Sequence, residues 1–317
     1  MRVAMIREFG GPEVFELRDV PTPEPGPGEV LVRVMATSVN PVDYQIRRAG
    51  AWAGVKPPAV IGYDVSGVVE AVGSAVREFR AGDEVFYTPE IFGGAPGSYA
   101  EYHVAREAIV ARKPENLTHL EAAVVPLAGG TAWDALIARG RLRVGERVFV
   151  HGGAGGVGHF AVQIAKAAGA YVFATAGPYN VDFVRSLGAD RPIDYQAEDF
   201  VAVLDGEAAG GVDLVLDCVG GDAISQTLPV VRPHSRIVSL LSVRGDLTLA
   251  HANNVELHFV FLERGRDRLD ALRTLIARRQ LRPHIREVFP LEHVDDAHRA
   301  AEAGKVRGKI AIRVAAV

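Results

Sequence analysis

The run from Arg147 to Thr175, RVFVHGGAGGVGHFAVQIAKAAGAYVFAT, constrains the fold more than any other stretch of the chain. Residues 147–151 form a short apolar run with strand chemistry. They enter Gly153, Ala154, Gly155, Gly156, Val157 and Gly158, which fit G-x-G-x-x-G. A helical period follows, with Val157, Phe160, Ala161, Ile164, Ala165 and Ala168 on one face. Gly169 stands where a C-cap glycine belongs. Residues 170–175 read as a second strand. Strand, glycine turn, helix and strand make a βαβ unit that can hold a dinucleotide. The glycines let the backbone approach a pyrophosphate, and the helix N-terminus supplies N–H groups and a positive dipole end. Its strand and helix context favours that reading over a plain structural glycine turn.

The residues after the second strand address which dinucleotide. An NAD site has an acid there, about 20 residues past the first glycine, on the ribose 2′-OH. This strand ends Ala174-Thr175-Ala176-Gly177-Pro178-Tyr179-Asn180, and the first acid is Asp182. A 2′-phosphate would meet no carboxylate, and Thr175 can donate to it. The nearest cation is Arg185. The pattern points to NADPH, with a pocket that tolerates both cofactors as the alternative.

A length of 317 residues suggests about two domains. The chain is 48% hydrophobic and 23% charged, enough to bury a sizeable core. A net charge of −4 argues against nucleic acid or an anionic membrane as partner. Eight arginines between Arg264 and Arg286, interleaved with acids, read as a solvated helix face. The single cysteine, Cys218, excludes an internal disulfide and suits a reducing compartment. No cleavable leader pattern opens the chain, and no apolar run reaches the roughly 18 residues of a membrane helix. The expectation is a cytoplasmic protein.

The first third reads as all-β, with strands at 1–6, 14–20, 29–39, 60–72 and 83–87, and resembles a partly open β-barrel. The proline-rich stretch 21–28 is a rigid turn. A helix is expected over 120–138, broken around Gly129-Gly130. Strands and helices then alternate: helices at 181–187, 197–204 and 223–231, strands near 193 and at 212–217, 236–241 and 256–262. That is the period of a doubly wound parallel sheet in an α/β protein. A helix at 267–279 and a strand at 309–314 follow. The domains are expected at 1–121 with 263–317, and at 122–262.

This layout resembles the medium-chain dehydrogenase/reductases, in which a GroES-like barrel carries an inserted Rossmann domain. Ser38-Val39-Asn40-Pro41-Val42-Asp43, Ile61-Gly62-Tyr63-Asp64-Val65-Ser66-Gly67, Pro126-Leu127-Ala128-Gly129-Gly130-Thr131-Ala132 and Gly308-Lys309-Ile310 resemble family segments. Zinc-dependent members carry Cys at the Asn40 position and His at the Tyr63 position. With one cysteine and neither residue, the chain resembles the zinc-independent quinone oxidoreductase branch. That implies an enzyme using NADPH to reduce quinones or enones without metal. Without a Lewis acid, an already electron-poor acceptor is the workable substrate.

The resemblance places Asn40 near the nicotinamide, where its amide can donate to a developing oxyanion; the alternative is a turn-forming Asn before Pro41. Tyr44 and Tyr63 are the available phenols, as donors to the enolate or as wall residues. Trp52 suggests an aromatic platform for a flat substrate. Thr131 bonds the nicotinamide or phosphate side, or bends its helix. Tyr195 matches a family tyrosine beside the adenosine phosphate. Cys218 and Val219, Leu241, and Phe261 end strands at the carboxyl edge, where cofactors lie. Cys218 itself reads as a small buried hydrophobe. Two other readings stay open: an enoyl reductase of a polyketide or lipid pathway, and a non-catalytic NADPH-binding structural or regulatory protein. The long apolar strand at 256–262 predicts a homodimer joined edge to edge.

Overall fold

Alternating apolar side chains in the first and last parts of the chain build antiparallel sheet. The computed structural model describes residues 1–304 and 306–315. It divides into two units: Met1–Ala128 with Glu263–Ala277 and Pro283–Val317, and Gly129–Leu262 with Arg278–Arg282. The first boundary lies seven residues beyond the expected one. The short helix His119–Ala123 packs on the barrel strands Glu29–Val39, Val65–Val72 and Lys309–Arg313 and so stays with them.

In the first unit a seven-stranded sheet centres on the long strand Glu29–Val39. It pairs antiparallel with Val65–Val72, with Tyr102–Arg106 and with the closing strand Lys309–Arg313. Ile310 lies opposite Val39, which delivers Lys309 beside Asn40. A three-stranded sheet joins Arg2–Ile6 to Phe15–Asp19 and to Ala59–Val60. The single strand expected over 60–72 is therefore two strands in different sheets. Gly62 makes the break at φ 105, and a Cβ there would stand 2.5 Å from the Tyr99 ring.

This unit is not all-β. Pro41–Ala49 is an α-helix, with Pro41 at its first turn and Asn40 as N-cap. Val294–Glu302 is a second, burying Val294, Ala297 and His298. Both are short and carry charges around the apolar stripe, which hid their period.

The second unit is a six-stranded parallel sheet. Its spatial order is Arg191–Asp194, Tyr171–Ala176, Arg147–His151, Val212–Asp217, Val231–Ser239, Glu256–Phe259. In chain order this is 3-2-1-4-5-6, a doubly wound sheet whose order reverses between Arg147–His151 and Val212–Asp217. Phe149, Phe173, Ile193, Val215 and Ile237, one from each of five strands, pack with Leu204 and Ile224 of the covering helices.

Several elements differ from expectation. The helix expected over 120–138 breaks at Val124-Val125, not at the glycines. Pro126, which lacks an N–H, opens the next helix, Pro126–Trp133, and Gly129 and Gly130 lie inside it. The helix expected at 197–204 starts at Phe200, because Asp199 caps it by accepting from the Val201 N–H at 2.9 Å. The strand expected at 236–241 is Val231–Ser239. The last strand stops at Phe259, with only four residues in the ladder, so the apolar run Val260-Phe261-Leu262 is not strand.

Candidate functional site

The glycine loop joins Arg147–His151 to the helix Gly158–Ala167 at the reversal of the sheet. A Cβ on Gly158 would lie 2.1 Å from the Gly152 carbonyl oxygen, so only glycine lets the helix start this close to the strand. Gly152 has φ 75. Its N–H donates to Thr175 Oγ1 at 2.9 Å, and the Gly153 N–H donates to the Thr175 carbonyl at 2.8 Å. Thr175 thus ties the loop to the neighbouring strand; its oxygen accepts there, which is compatible with the expected donation of its O–H to a phosphate. Ala154 is buried, whereas Gly155, Gly156 and Val157 are half-exposed. Among the described residues, no acceptor takes the Gly156 and Val157 N–H groups. Two unanswered donors at a helix start fit a pyrophosphate.

At the same carboxyl edge, Val219, Leu241 and Phe261 are exposed apolar side chains, as is Tyr195. A Cβ on Gly177 would stand 3.5 Å from the Tyr195 hydroxyl, so a small residue faces that ring. Cys218 follows the end of Val212–Asp217 and burial raises its thiol pKa, which keeps it inert. Asp217 holds the loop beyond: Oδ1 accepts from the Val219 and Gly220 N–H groups, Oδ2 from Ser239. Thr131 is buried in the helix Pro126–Trp133. His151 Nε2 lies 2.8 Å from Thr227 Oγ1, whose hydrogen goes to the Ala223 carbonyl. Nε2 therefore donates, and burial lowers the His151 pKa to about 4.

The barrel unit gathers charged side chains away from water. Asn40 is only 1% exposed. Its Nδ2 donates to Asp64 Oδ2 at 2.8 Å, and its Oδ1 accepts from Lys309 Nζ. Lys309 also donates to the Val39 carbonyl at 2.9 Å and lies 3.7 Å from Asp64. Asp64 takes Ser38 Oγ at 2.6 Å on one oxygen and the Leu127 N–H at 2.8 Å on the other. A carboxylate at the first turn of Pro126–Trp133 matches that helix's dipole. Burial raises the Asp64 pKa and lowers that of Lys309, while each opposes the shift in the other. The expected oxyanion role for Asn40 is corrected by this geometry. Its amide bridges a buried cation and a buried anion.

Asp43 extends the cluster. Its Oδ2 accepts the Asn40 backbone N–H at 2.6 Å and the Tyr99 hydroxyl at 3.1 Å. Tyr99 meets His298 Nε2 at 2.9 Å, and His298 Nδ1 meets Arg47 Nη1 at 2.8 Å. A guanidinium only donates, so Nδ1 accepts, Nε2–H donates to Tyr99, and Tyr99 donates to Asp43. Arg47 is anchored on Glu302 at 2.8 and 2.9 Å. Burial pushes the Asp43 pKa up to about 7, against the Asn40 N–H and the Lys309 charge. Among the described residues, Asp43 Oδ1 and the Tyr63 hydroxyl are both buried without a hydrogen-bond partner. Burial raises the Tyr63 pKa, with the Asp43 charge adding to it and the Arg264 guanidinium opposing.

Tyr44 is half-buried, with the Arg48 guanidinium 5.8 Å from its ring. Burial and the Glu302 charge raise its pKa. Trp52 is exposed and pairs edge-on with Phe92 at 6.1 Å. Arg264 departs from the expected solvated face: its Nε donates to the Pro89 carbonyl at 2.9 Å, and burial lowers its pKa to about 10. Sequence reasoning missed Arg47, Tyr99, His298 and Arg264, and missed the pairing of Asp64 with Lys309. The one available signal was that lysine at the start of an apolar closing strand is out of place.

Residues 26–115 match the family profile described as alcohol dehydrogenase GroES-like domain, and residues 187–312 the one described as zinc-binding dehydrogenase. The chain is 32% identical over 315 residues to a chloroplast envelope quinone oxidoreductase homolog of Arabidopsis thaliana, covering 96% of this chain and 95% of the relative. It is 33% identical to an NADPH-dependent alkenal/one oxidoreductase of the same plant, over 98% of this chain and 79% of the relative. The structure of the quinone oxidoreductase from Coxiella burnetii superposes with a TM-score of 0.90 at 34% identity, covering 99% of each chain. The chain belongs to the medium-chain dehydrogenase/reductase superfamily, in its quinone oxidoreductase branch.

Proposed function

We propose that this chain is an NADPH-dependent, zinc-independent reductase of quinones and α,β-unsaturated carbonyls. The observation that carries the metal-free reading is the buried ammonium of Lys309, held on Asn40 and 3.7 Å from Asp64. The donor set there is the Asn40 amide, the Asp64 carboxylate and the Val39 carbonyl, already joined to a cation. It does not fit zinc, which takes Cys, His and free carboxylates. Among the described residues, the one cluster of three potential ligands within reach of each other is His293, Asp295 and Asp296, and it is not buried.

The glycine loop fits a dinucleotide through the free N–H groups of Gly156 and Val157. Its residues Gly153, Ala154, Gly155 and Gly158 shape the turn, and Tyr195, Val219, Leu241 and Phe261 offer exposed surface along the strand ends. The missing acid between Ala174 and Val181 favours a 2′-phosphate. When bound, the nicotinamide supplies hydride. The protein's part is to orient the acceptor, exclude water and donate to its oxygen. Tyr63 is the donor assigned here, because its raised pKa keeps the O–H protonated and that O–H has no acceptor among the described residues. Tyr44 is the second phenol. Trp52 and its neighbour Phe92 supply an aromatic face for a flat ring. The reading includes a cytoplasmic location and a homodimer formed at the edge strand Glu256–Phe259, where Phe259 is exposed.

The test is turnover of a quinone and enone panel with NADPH and NADH, with and without a chelator, on wild type and Tyr63→Phe. NADPH is expected to bind tighter, chelation to change nothing, and Tyr63→Phe to lower kcat by about 10²-fold, the size of one lost oxyanion donor. Equal use of NADH would refute the cofactor assignment. Activity lost on chelation and restored by zinc would refute the metal assignment.

A further inference from the structure

A cavity of about 190 Å³ lies in the dinucleotide unit at the opposite end of the parallel sheet from the glycine loop. It opens where Arg147–His151, Val212–Asp217, Val231–Ser239 and Glu256–Phe259 begin. Dinucleotides lie at the carboxyl ends of such strands, so this cavity is separate from the cofactor cradle.

Its walls bring four guanidinium groups against three carboxylates. Arg232 pairs with Asp213 at 2.6 Å, Arg236 with Glu146 at 2.7 Å, and Arg141 with Glu256. Asp213 also accepts the Arg147 N–H at 2.8 Å, and Glu146 the Arg143 N–H at 2.9 Å. The acids are thus answered by the walls themselves. The fourth cation is left over: among the described residues, the Arg143 guanidinium has no ion pair or hydrogen bond. The wall also contains Ser235, 2% exposed, whose hydroxyl has no hydrogen-bond partner among the described residues. Beside it His234 is held in the left-handed region at φ 62, its N–H bonded to the Asn253 carbonyl at 2.8 Å. The pairing of the two neighbouring strands slips in register there. A non-glycine residue in that region costs about 1–3 kcal/mol, and such strain gathers at binding sites.

We propose that this cavity binds a phosphoryl group, either free phosphate or a phosphomonoester. Arg143 supplies the uncompensated charge and Ser235 a neutral donor. The Arg232 and Arg236 guanidinium groups are committed to Asp213, Glu146 and backbone carbonyls, so the planar fork of Arg143 is the one that meets phosphoryl oxygens. The volume, several times a water's share of the liquid, admits such a group. The inference does not depend on the reductase reading.

Calorimetric titration with sodium phosphate, ribose 5-phosphate and succinate at constant ionic strength tests it, on the protein alone and with NADPH present. Saturable phosphoryl binding that NADPH leaves unchanged is expected. Arg143→Ala should weaken it roughly tenfold or more, as loss of a charge-assisted hydrogen bond does. Ser235→Ala should weaken it less. Tighter binding of ribose 5-phosphate would assign a monoester, and equal binding free phosphate. Arg143 is exposed, so its replacement should leave the thermal midpoint in place and the comparison valid. No saturable binding, displacement by NADPH, succinate binding as tightly, or an Arg143→Ala variant binding like wild type would each overturn the proposal.

Discussion

The two units build their candidate sites from opposite materials. In the dinucleotide unit the cradle is backbone: glycines, two free N–H groups and the start of a helix, with no charge on the loop. In the barrel unit the centre is side chain and charge: Lys309, Asp64 and Asp43 are all removed from water, with Asn40 bridging. A backbone cradle needs particular residues only where a Cβ would collide, and is tolerant elsewhere. A buried ionic centre needs every member, because each holds another's charge. The barrel centre should therefore answer to substitution more steeply than the cradle.

The largest effect is expected from Lys309→Met. It removes the cation from Asn40 and Asp64 while leaving the carboxylate fully buried. Breaking one side of a buried pair costs about 3–5 kcal/mol. Urea unfolding measures it. A loss under about 1 kcal/mol would mean that Asp64 is neutral in the native protein, and the contrast between the two sites would fail.

The same contrast explains what the sequence disclosed. The cradle is local: residues 147–175 contain the strand, the glycines, the helix and the next strand, so a pattern of known spacing was enough. The barrel centre is assembled from residues 38–43, 64, 99, 298 and 309, brought together by strand pairing and by the two helices that the sequence hid. Asn40 can be singled out by its place in a motif, but the partners that decide its role, Asp64 and Lys309, cannot. Thr175 shows the same limit on a smaller scale. Its position beside the cradle was legible, whereas the choice of Gly152 as its partner depended on sheet register. The expected strand at 256–262 overruns the observed Glu256–Phe259 because an apolar run does not show where ladder bonding stops.

Gly158→Ala probes the backbone side. The new Cβ would lie 2.1 Å from the Gly152 carbonyl oxygen, and main chain rather than a mobile side chain must yield. Overpacking of this kind costs about 1–3 kcal/mol. The shift also moves the Gly156 and Val157 donors, so NADPH affinity should fall at least tenfold by equilibrium titration. Unchanged affinity would show that the cradle is as tolerant here as elsewhere along the loop.

The smallest expected effect is a pH slope, and it separates the sites by charge alone. Asp43 titrates at about 7 in the native barrel, against about 3.9 in an unfolded chain. Across that window the native state retains a proton that the unfolded state has released. The contribution of Asp43 is therefore fully present at acid pH and is lost as pH rises, by at most about 1.4 kcal/mol per pH unit, levelling above pH 7 or so. His298 acts in the other direction: burial and the Arg47 charge depress its pKa, so its contribution grows as pH rises towards the ordinary histidine value of about 6.5. The wild-type curve alone mixes these opposing slopes, so the decisive quantity is wild type minus Asp43→Asn. The asparagine is neutral at every pH and keeps an oxygen for Tyr99 and the Asn40 N–H, while His298 is common to both proteins. That difference should fall steadily between about pH 4 and pH 7 and then stay flat. The loss from Gly158→Ala, which involves no titrating group, should be constant over the same range. Parallel curves for wild type and Asp43→Asn would show that Asp43 carries the same charge folded and unfolded, and that the barrel centre differs from the cradle in packing rather than in ionisation.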